Sequence, residues 1–342
     1  MGKTAKIVLF VLFVAGAVAA LGKVFIWGES VTNYGSYTPW GLWVGLYVLM
    51  VAAAGGAAWT GIYVAWSQGG EPKRLTTISL IAAGAFLAFG LAFIGTDLGK
   101  PMKGIMIFFS PAFSSKLAWA SWLYLAFFVC LGGYLFTQAK KAFMYLAGLA
   151  AVGFVVAEGL FFGGMVARIA WNSWLTPVCF LASAIAAGSA AVYTIGQLNN
   201  LEVFAEEGYA IKKILTYSVV AVATIELVHA LAGQSALFSS IPFWGFVILG
   251  VVLPLFMLVK NTGALFPGIL VLTGLACNKY AFVREGFSAE PIPGLTGAFQ
   301  AARLSLSYTP SAVEWVVAVG FVAGAIWAAD FLANKLVKAK QV

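Results

Sequence analysis

The sequence predicts an all-α integral membrane protein with about ten transmembrane helices in a single polytopic domain over residues 1–342. Three observations carry this. With 62% hydrophobic residues, 9% charged residues and a mean hydropathy of +0.96, the chain cannot be a soluble globular domain. Apolar runs recur along it at a length of about 20 residues, which spans the roughly 30 Å hydrocarbon core of a bilayer. These runs are continuous rather than alternating between apolar and polar. That pattern selects helices over a barrel, because backbone groups in lipid must be paired within their own segment.

The spans read, in order, approximately 7–27, 41–66, 77–95, 117–137, 142–165, 174–195, 214–231, 242–259, 264–282 and 313–333. The first follows Lys3 and Lys6 and ends near the small residues Ala19, Ala20 and Gly22, so it resembles a secretion signal. No cleavage site followed by a soluble domain appears, and it is read as a span. With the N-terminus inside, the cytoplasmic segments collect Lys3, Lys6, Lys73, Arg74, Lys140, Lys141, Lys212, Lys213, Lys260, Lys335, Lys338 and Lys340. The opposite side and its helix ends hold Lys23, Lys100, Lys103, Lys116, Arg168, Lys279, Arg284 and Arg303. Every inside loop has at least one basic residue, so both termini are expected in the cytoplasm of a prokaryotic plasma membrane. The net charge of +8 is largely this bias and not a nucleic-acid footprint.

Connection lengths point to one face. The 67–76 and 138–141 turns are short, whereas 28–40, 96–116 and 283–312 are long, aromatic or proline-rich, and all fall on the extracytoplasmic side. That side is expected to carry a site or a partner. The acidic loop with Glu202, Glu206 and Glu207 reads as a solvated face. A weak internal repeat links Ala52–Ala58 in the second span with Ala184–Ala191 in the sixth. It has two readings: a shared small-residue packing pattern, or a duplication giving bundles over 41–165 and 174–282, with 7–27 and 313–333 as flanking helices.

The chain has a single histidine, His229, and three cysteines, Cys130, Cys179 and Cys277. A transmembrane haem b takes two imidazoles and an iron–sulfur cluster about four thiolates, so neither group is expected in this chain. The isolated cysteines read as small buried hydrophobes. Ionisable groups inside a membrane are costly and mark candidate sites. They are Glu158 in span five, Glu226 and His229 three residues apart on one face of span seven, and Asp330 near the end of span ten. Asp330 is expected to be neutralised by Lys335 and Lys338; the other three divide between structural polar contacts and a proton relay.

The turn Gly95-Thr96-Asp97-Leu98-Gly99-Lys100-Pro101, followed by Lys116, Trp119 and Trp122, reads either as an interfacial belt or as a charged rim with aromatic walls. With Pro39-Trp40-Gly41-Leu42-Trp43, Ser110-Pro111, Trp171-Asn172-Ser173-Trp174-Leu175-Thr176-Pro177 leading to Phe180-Leu181-Ala182-Ser183 and Gly188, and the late Tyr308-Thr309-Pro310-Ser311 with Glu314-Trp315, it resembles the NrfD/PsrC family from about residue 39 to 330. The resemblance implies a cofactor-free membrane subunit that exchanges electrons between a quinone, menaquinone or ubiquinone, and a four-cluster iron–sulfur subunit. A molybdopterin catalytic subunit usually accompanies that partner on the extracytoplasmic side.

The resemblance also places the quinone in the first four-helix bundle, near the extracytoplasmic face. Tyr47 falls where a relative carries a quinone-contacting histidine, and a phenol also donates a hydrogen bond to a carbonyl. The tyrosine that relatives often carry two residues before the glycine of span five is Ala157 here, with Glu158 beside it. The expectation is therefore that Trp40, Trp43 and Trp119 wall the ring with Tyr47. Asp97 and Lys100 would handle its protons at the mouth, and Glu158, Glu226 and His229 would form a proton path. The rival reading is a secondary transporter or ion channel built on those last three residues.

Overall fold

The computed structural model of the chain describes residues 1–138, 140–198, 204–231, 238, 240–290, 292, 294–298, 304 and 306–338. Glu202, Arg303, Lys340 and part of the 283–312 connection lie outside the described residues, as do the side chains of Glu206, Glu207 and Lys338. Ten helices among the described residues are long and apolar enough to cross a membrane. They are α1 (Lys3–Val31), α2 (Leu42–Ser67), α3 (Arg74–Asp97), α4 (Lys116–Phe136), α5 (Lys140–Gly163), α6 (Leu175–Leu198), α7 (Phe204–Leu231), α8 (Ile241–Lys260), α9 (Phe266–Glu285) and α10 (Ala312–Lys338). The protein is a multi-pass, all-helical membrane protein.

The helices alternate in direction, so the two ends of the molecule differ. We call the end carrying the 32–41, 98–115 and 164–174 connections the upper end, and the end carrying both termini the lower end. The axis of the fold is α2, whose most apolar stretch is 94% buried, whereas that of α1 is 22% buried and faces outward. Around α2 pack α3, α5, α6 and α9, with α4 against α5, α7 against α6, α8 against α9, and α10 between α1 and α3.

Small residues make this closeness possible, because helices in lipid associate through van der Waals contact and not through hydrophobic exclusion. A Cβ built on Gly56 would lie 1.7 Å from the Ala184 carbonyl oxygen, and one on Gly188 would lie 1.8 Å from the Gly56 carbonyl carbon. The two look-alike stretches of the sequence thus meet as the two halves of the α2–α6 contact. Gly16 of α1 and Gly320 of α10 meet in the same way, a Cβ on the first falling 2.6 Å from the Cα of the second.

Two helices depart from regular α geometry. In α8 a π-helical stretch over Phe246–Val252 leads into Pro254, whose ring excludes the carbonyl four residues earlier and whose nitrogen cannot donate. In α1 a π-turn over Lys23–Trp27 hands over to a 3-10 turn over Gly28–Val31. Gly28 there takes φ +60°, a left-handed value that glycine adopts without strain. This bend carries Lys23 inward rather than out to the surface, as its place in the charge pattern had implied.

The lower end corrects one expected pairing. Asp330 is held by the Lys6 ammonium at 2.7 Å and the Met1 amine at 3.4 Å rather than by Lys335, and the Lys338 side chain lies outside the described residues. Since α1 and α10 run side by side, the start of one meets the end of the other, while Lys335 lies over the Phe331 ring.

Candidate functional site

Tyr47, Tyr124 and Glu158 meet inside the bundle formed by α2, α4 and α5. Both phenols donate to Glu158 Oε1, and the two hydroxyls lie 2.9 Å apart. All three side chains are buried, with Glu158 1% exposed. Glu158 Oε2 is also buried and has no hydrogen-bond partner among the described residues. Tyr47 lies five residues from the start of α2 and Glu158 five from the end of α5, so the group sits about 7–8 Å beneath the upper helix ends. A carboxylate buried at that depth is costly unless it is paired or functional.

Above this triad the upper end is closed by aromatic rings. Trp40 stacks on Trp171 with centroids 5.8 Å apart and planes at 19°, and meets Phe161 and Phe162, which follow Glu158 by about one turn. Trp43 is fully buried and donates its indole N–H to the Glu314 carbonyl at 3.0 Å, tying α2 to α10. Trp119 is 50% exposed, with its indole on the Phe113 carbonyl at 2.9 Å, on the periphery of α4. The three tryptophans therefore do not line one ring site together.

Asp97 and Lys100 also part company. Lys100 is exposed, while the Asp97 carbonyl accepts from Lys23 Nζ at 3.3 Å, beside a 2.8 Å bond from the same ammonium to the Thr96 carbonyl and a 2.7 Å bond to Glu29. Lys23 stands over the Trp43 ring at 5.9 Å. Asp97 Oδ1 is buried without a hydrogen-bond partner among the described residues. Burial, and next the Asp97 carboxylate, push the Tyr34 phenol well above the ordinary tyrosine value.

Residues 30–289 match the family profile described as Polysulphide reductase, NrfD. The chain belongs to the NrfD family. Two similar proteins are a selenate reductase subunit of Mesobacillus selenatarsenatis and the Hdr-like menaquinol oxidoreductase integral membrane subunit of Archaeoglobus fulgidus. The first is 22% identical, the match covering 86% of this chain and 85% of the relative. The second is 26% identical over 73% of this chain and 72% of the relative.

This NrfD-family chain gathers its other intramembrane charges in a second cluster. Glu226 and His229 on α7 face Cys179 on α6, the three ligand atoms lying within 4.8 Å of one another. Lys279 of α9, read from sequence as a lysine of the upper surface, is 1% exposed; its Nζ stands 4.0 Å from Glu226 Oε1 and 4.9 Å from the Phe180 ring centroid. A cation beside Glu226 is thus Lys279, with His229 also within 4.8 Å. His229 Nε2 is buried with no hydrogen-bond partner among the described residues.

Sequence reading missed Tyr124 and Lys279. The chain has twelve tyrosines, and nothing in the local pattern marks Tyr124, whose role depends on a helix 34 residues away in sequence. For Lys279 a signal was present: it lies six residues inside the end of an apolar span, too deep for an interfacial lysine.

Proposed function

We propose that this protein is the membrane subunit through which a quinone in the bilayer exchanges electrons with a peripheral oxidoreductase partner, the ring reacting at the Tyr47–Tyr124–Glu158 triad. The observation that carries the proposal is the Glu158 carboxylate: one oxygen is fixed by two phenols, while the other is buried and unpartnered among the described residues. Family membership supports it, as does the likeness to a menaquinol oxidoreductase membrane subunit. The single histidine and three cysteines also support it, since electrons that reach the ring must then come from another chain's cofactor.

Quinone reduction takes up two electrons and two protons; quinol oxidation releases them. Glu158 Oε2 is the group placed to give or take a proton at a ring oxygen, and Tyr47 and Tyr124 hold the carboxylate in place through Oε1. Asp97, nearer the upper surface, is the next acceptor on the way to water. The upper end faces the extracytoplasmic side in this reading, and the partner is an iron–sulfur subunit with a molybdopterin subunit behind it. Its nearest cluster must come within tunnelling reach of a ring held one to two turns below that surface.

The test is quinol-linked turnover of the purified complex against partner-linked dye turnover. Glu158→Gln, Tyr47→Phe and Tyr124→Phe should lower the first while leaving the second intact, by about 10²- to 10⁴-fold for a group that transfers the proton itself and less for one that only orients it. Wild-type quinol turnover in Glu158→Gln would place the ring elsewhere.

A further inference from the structure

We propose that Cys179, Glu226 and His229 form a binding site for a redox-inert, borderline-soft divalent cation of the zinc class, separate from the triad. A thiol, a carboxylate and an imidazole are the donor set that such a cation takes in tetrahedral sites, whereas hard oxygen-seeking cations avoid sulfur. Each of the three residues is more than nine-tenths buried, at 5%, 8% and 4% exposure. Their ligand atoms lie within 4.8 Å of one another. A tetrahedral zinc needs them about 3.3–3.6 Å apart, so side-chain movements of about 1 Å close the site.

The helical spacing fits as well. Glu226 and His229 are a carboxylate and an imidazole at i and i+3, a pattern that presents two ligands to one metal from a single helix turn. His229 Nε2 supplies an independent sign of a missing partner, being buried and unbonded among the described residues. His229 lies two residues from the end of α7 and Cys179 four from the start of α6, so the cluster sits about one helical turn beneath the upper helix ends.

Charge balance makes the proposal specific. Binding forms a metal–sulfur bond and releases the thiol proton to solvent, with no change in oxidation state. The cation, one thiolate and the Glu226 carboxylate together are neutral, which leaves the Lys279 ammonium as an excess buried charge 4.0 Å from Glu226. Lys279 therefore opposes the metal electrostatically without occupying a ligand position, and its removal should tighten binding.

The experiment uses the untagged full chain, purified in detergent with and without its partner subunits, stripped with chelator and titrated with Zn2+ or Co2+ alone. One equivalent of Zn2+ per chain is expected to survive gel filtration, and X-ray absorption should show a sulfur neighbour. The Co2+ form should carry a thiolate charge-transfer band that Cys179→Ser abolishes. His229→Ala and Glu226→Gln should each weaken binding by at least about 10-fold, the lower end of what even an outer-shell change costs, and Lys279→Met should strengthen it. A well-folded wild-type chain that retains no stoichiometric Zn2+, or one whose Zn2+ has no sulfur neighbour, overturns the proposal and leaves the cluster as a charged knot around Lys279. Neither result depends on quinol turnover, so the outcome is distinct from that of the triad.

Discussion

Two buried glutamates show how partner accounting separates structure from chemistry at the scale of single residues. Glu314 is fully buried, and both its oxygens are used: Oε1 accepts from Tyr308, while Oε2 accepts from the Asn33 amide at 3.1 Å and the Ser311 amide at 2.9 Å. The Glu314 backbone N–H in turn donates to Ser311 Oγ at 3.2 Å, completing a capping box at the start of α10. Burial and the adjacent carboxylate push the Tyr308 phenol far above the ordinary tyrosine value, so it stays a proton donor at any physiological pH. Glu158 has the same burial but leaves one oxygen without a partner among the described residues. Glu314→Gln should therefore destabilise the protein by about 1.5–3 kcal/mol, the usual worth of bonds to a charged acceptor, and leave quinol turnover per folded molecule unchanged. Thermal unfolding in detergent beside steady-state turnover checks this, and a catalytic loss at unchanged stability would reverse the assignment.

Among the elements, the decisive contact is between α2 and α6, where backbone touches backbone. Gly188→Ala would set a methyl 1.8 Å from the Gly56 carbonyl carbon, which neither helix can relieve by rotating a side chain. Overpacking of this kind costs about 1–3 kcal/mol, more where backbone must move. The variant should lose monodisperse protein on size exclusion and unfold at a lower temperature. Gly132→Ala is the matched control, because a Cβ there meets nothing within 4 Å. Equal stability of the two variants would mean that α2 and α6 are not packed this tightly.

Across the whole molecule the two ends differ in what they expose. The upper end shows apolar side chains outside the spans, among them Met102 at 71%, Phe109 at 76%, Val166 at 78% and Ile169 at 88% exposure. Lys100, Lys103 and Arg168 stand among them, and the lower-end turn instead carries the Lys141–Glu71 pair. Exposed apolar patches rimmed by charge mark contact surfaces. Single cysteines placed at Phe109 and Ile169 should be shielded from a membrane-impermeant maleimide when the partner subunits are bound, while one placed at Glu71 stays reactive. Protection of the Glu71 position alone would move the docking face to the other end.

The helical membrane class, the ten spans and the family were legible in the sequence with no fold in hand. Each follows from local properties: the length and continuity of apolar runs, and short motifs such as Trp171–Pro177 that are read directly from the sequence. Glu158, Glu226 and His229 were marked as well, because a charge inside an apolar run is visible before any packing is known. Which groups meet was settled by packing alone. Tyr124 became a partner of Glu158, Lys279 became the cation beside Glu226, and Trp43 became a strut to α10. A helix repeats about every 3.6 residues, so sequence gives the angular position of a side chain on its own helix. Which neighbour that face meets is set by how close two backbones come, and here that rests on glycines such as Gly56 and Gly188, whose missing side chains signal close packing without naming the partner.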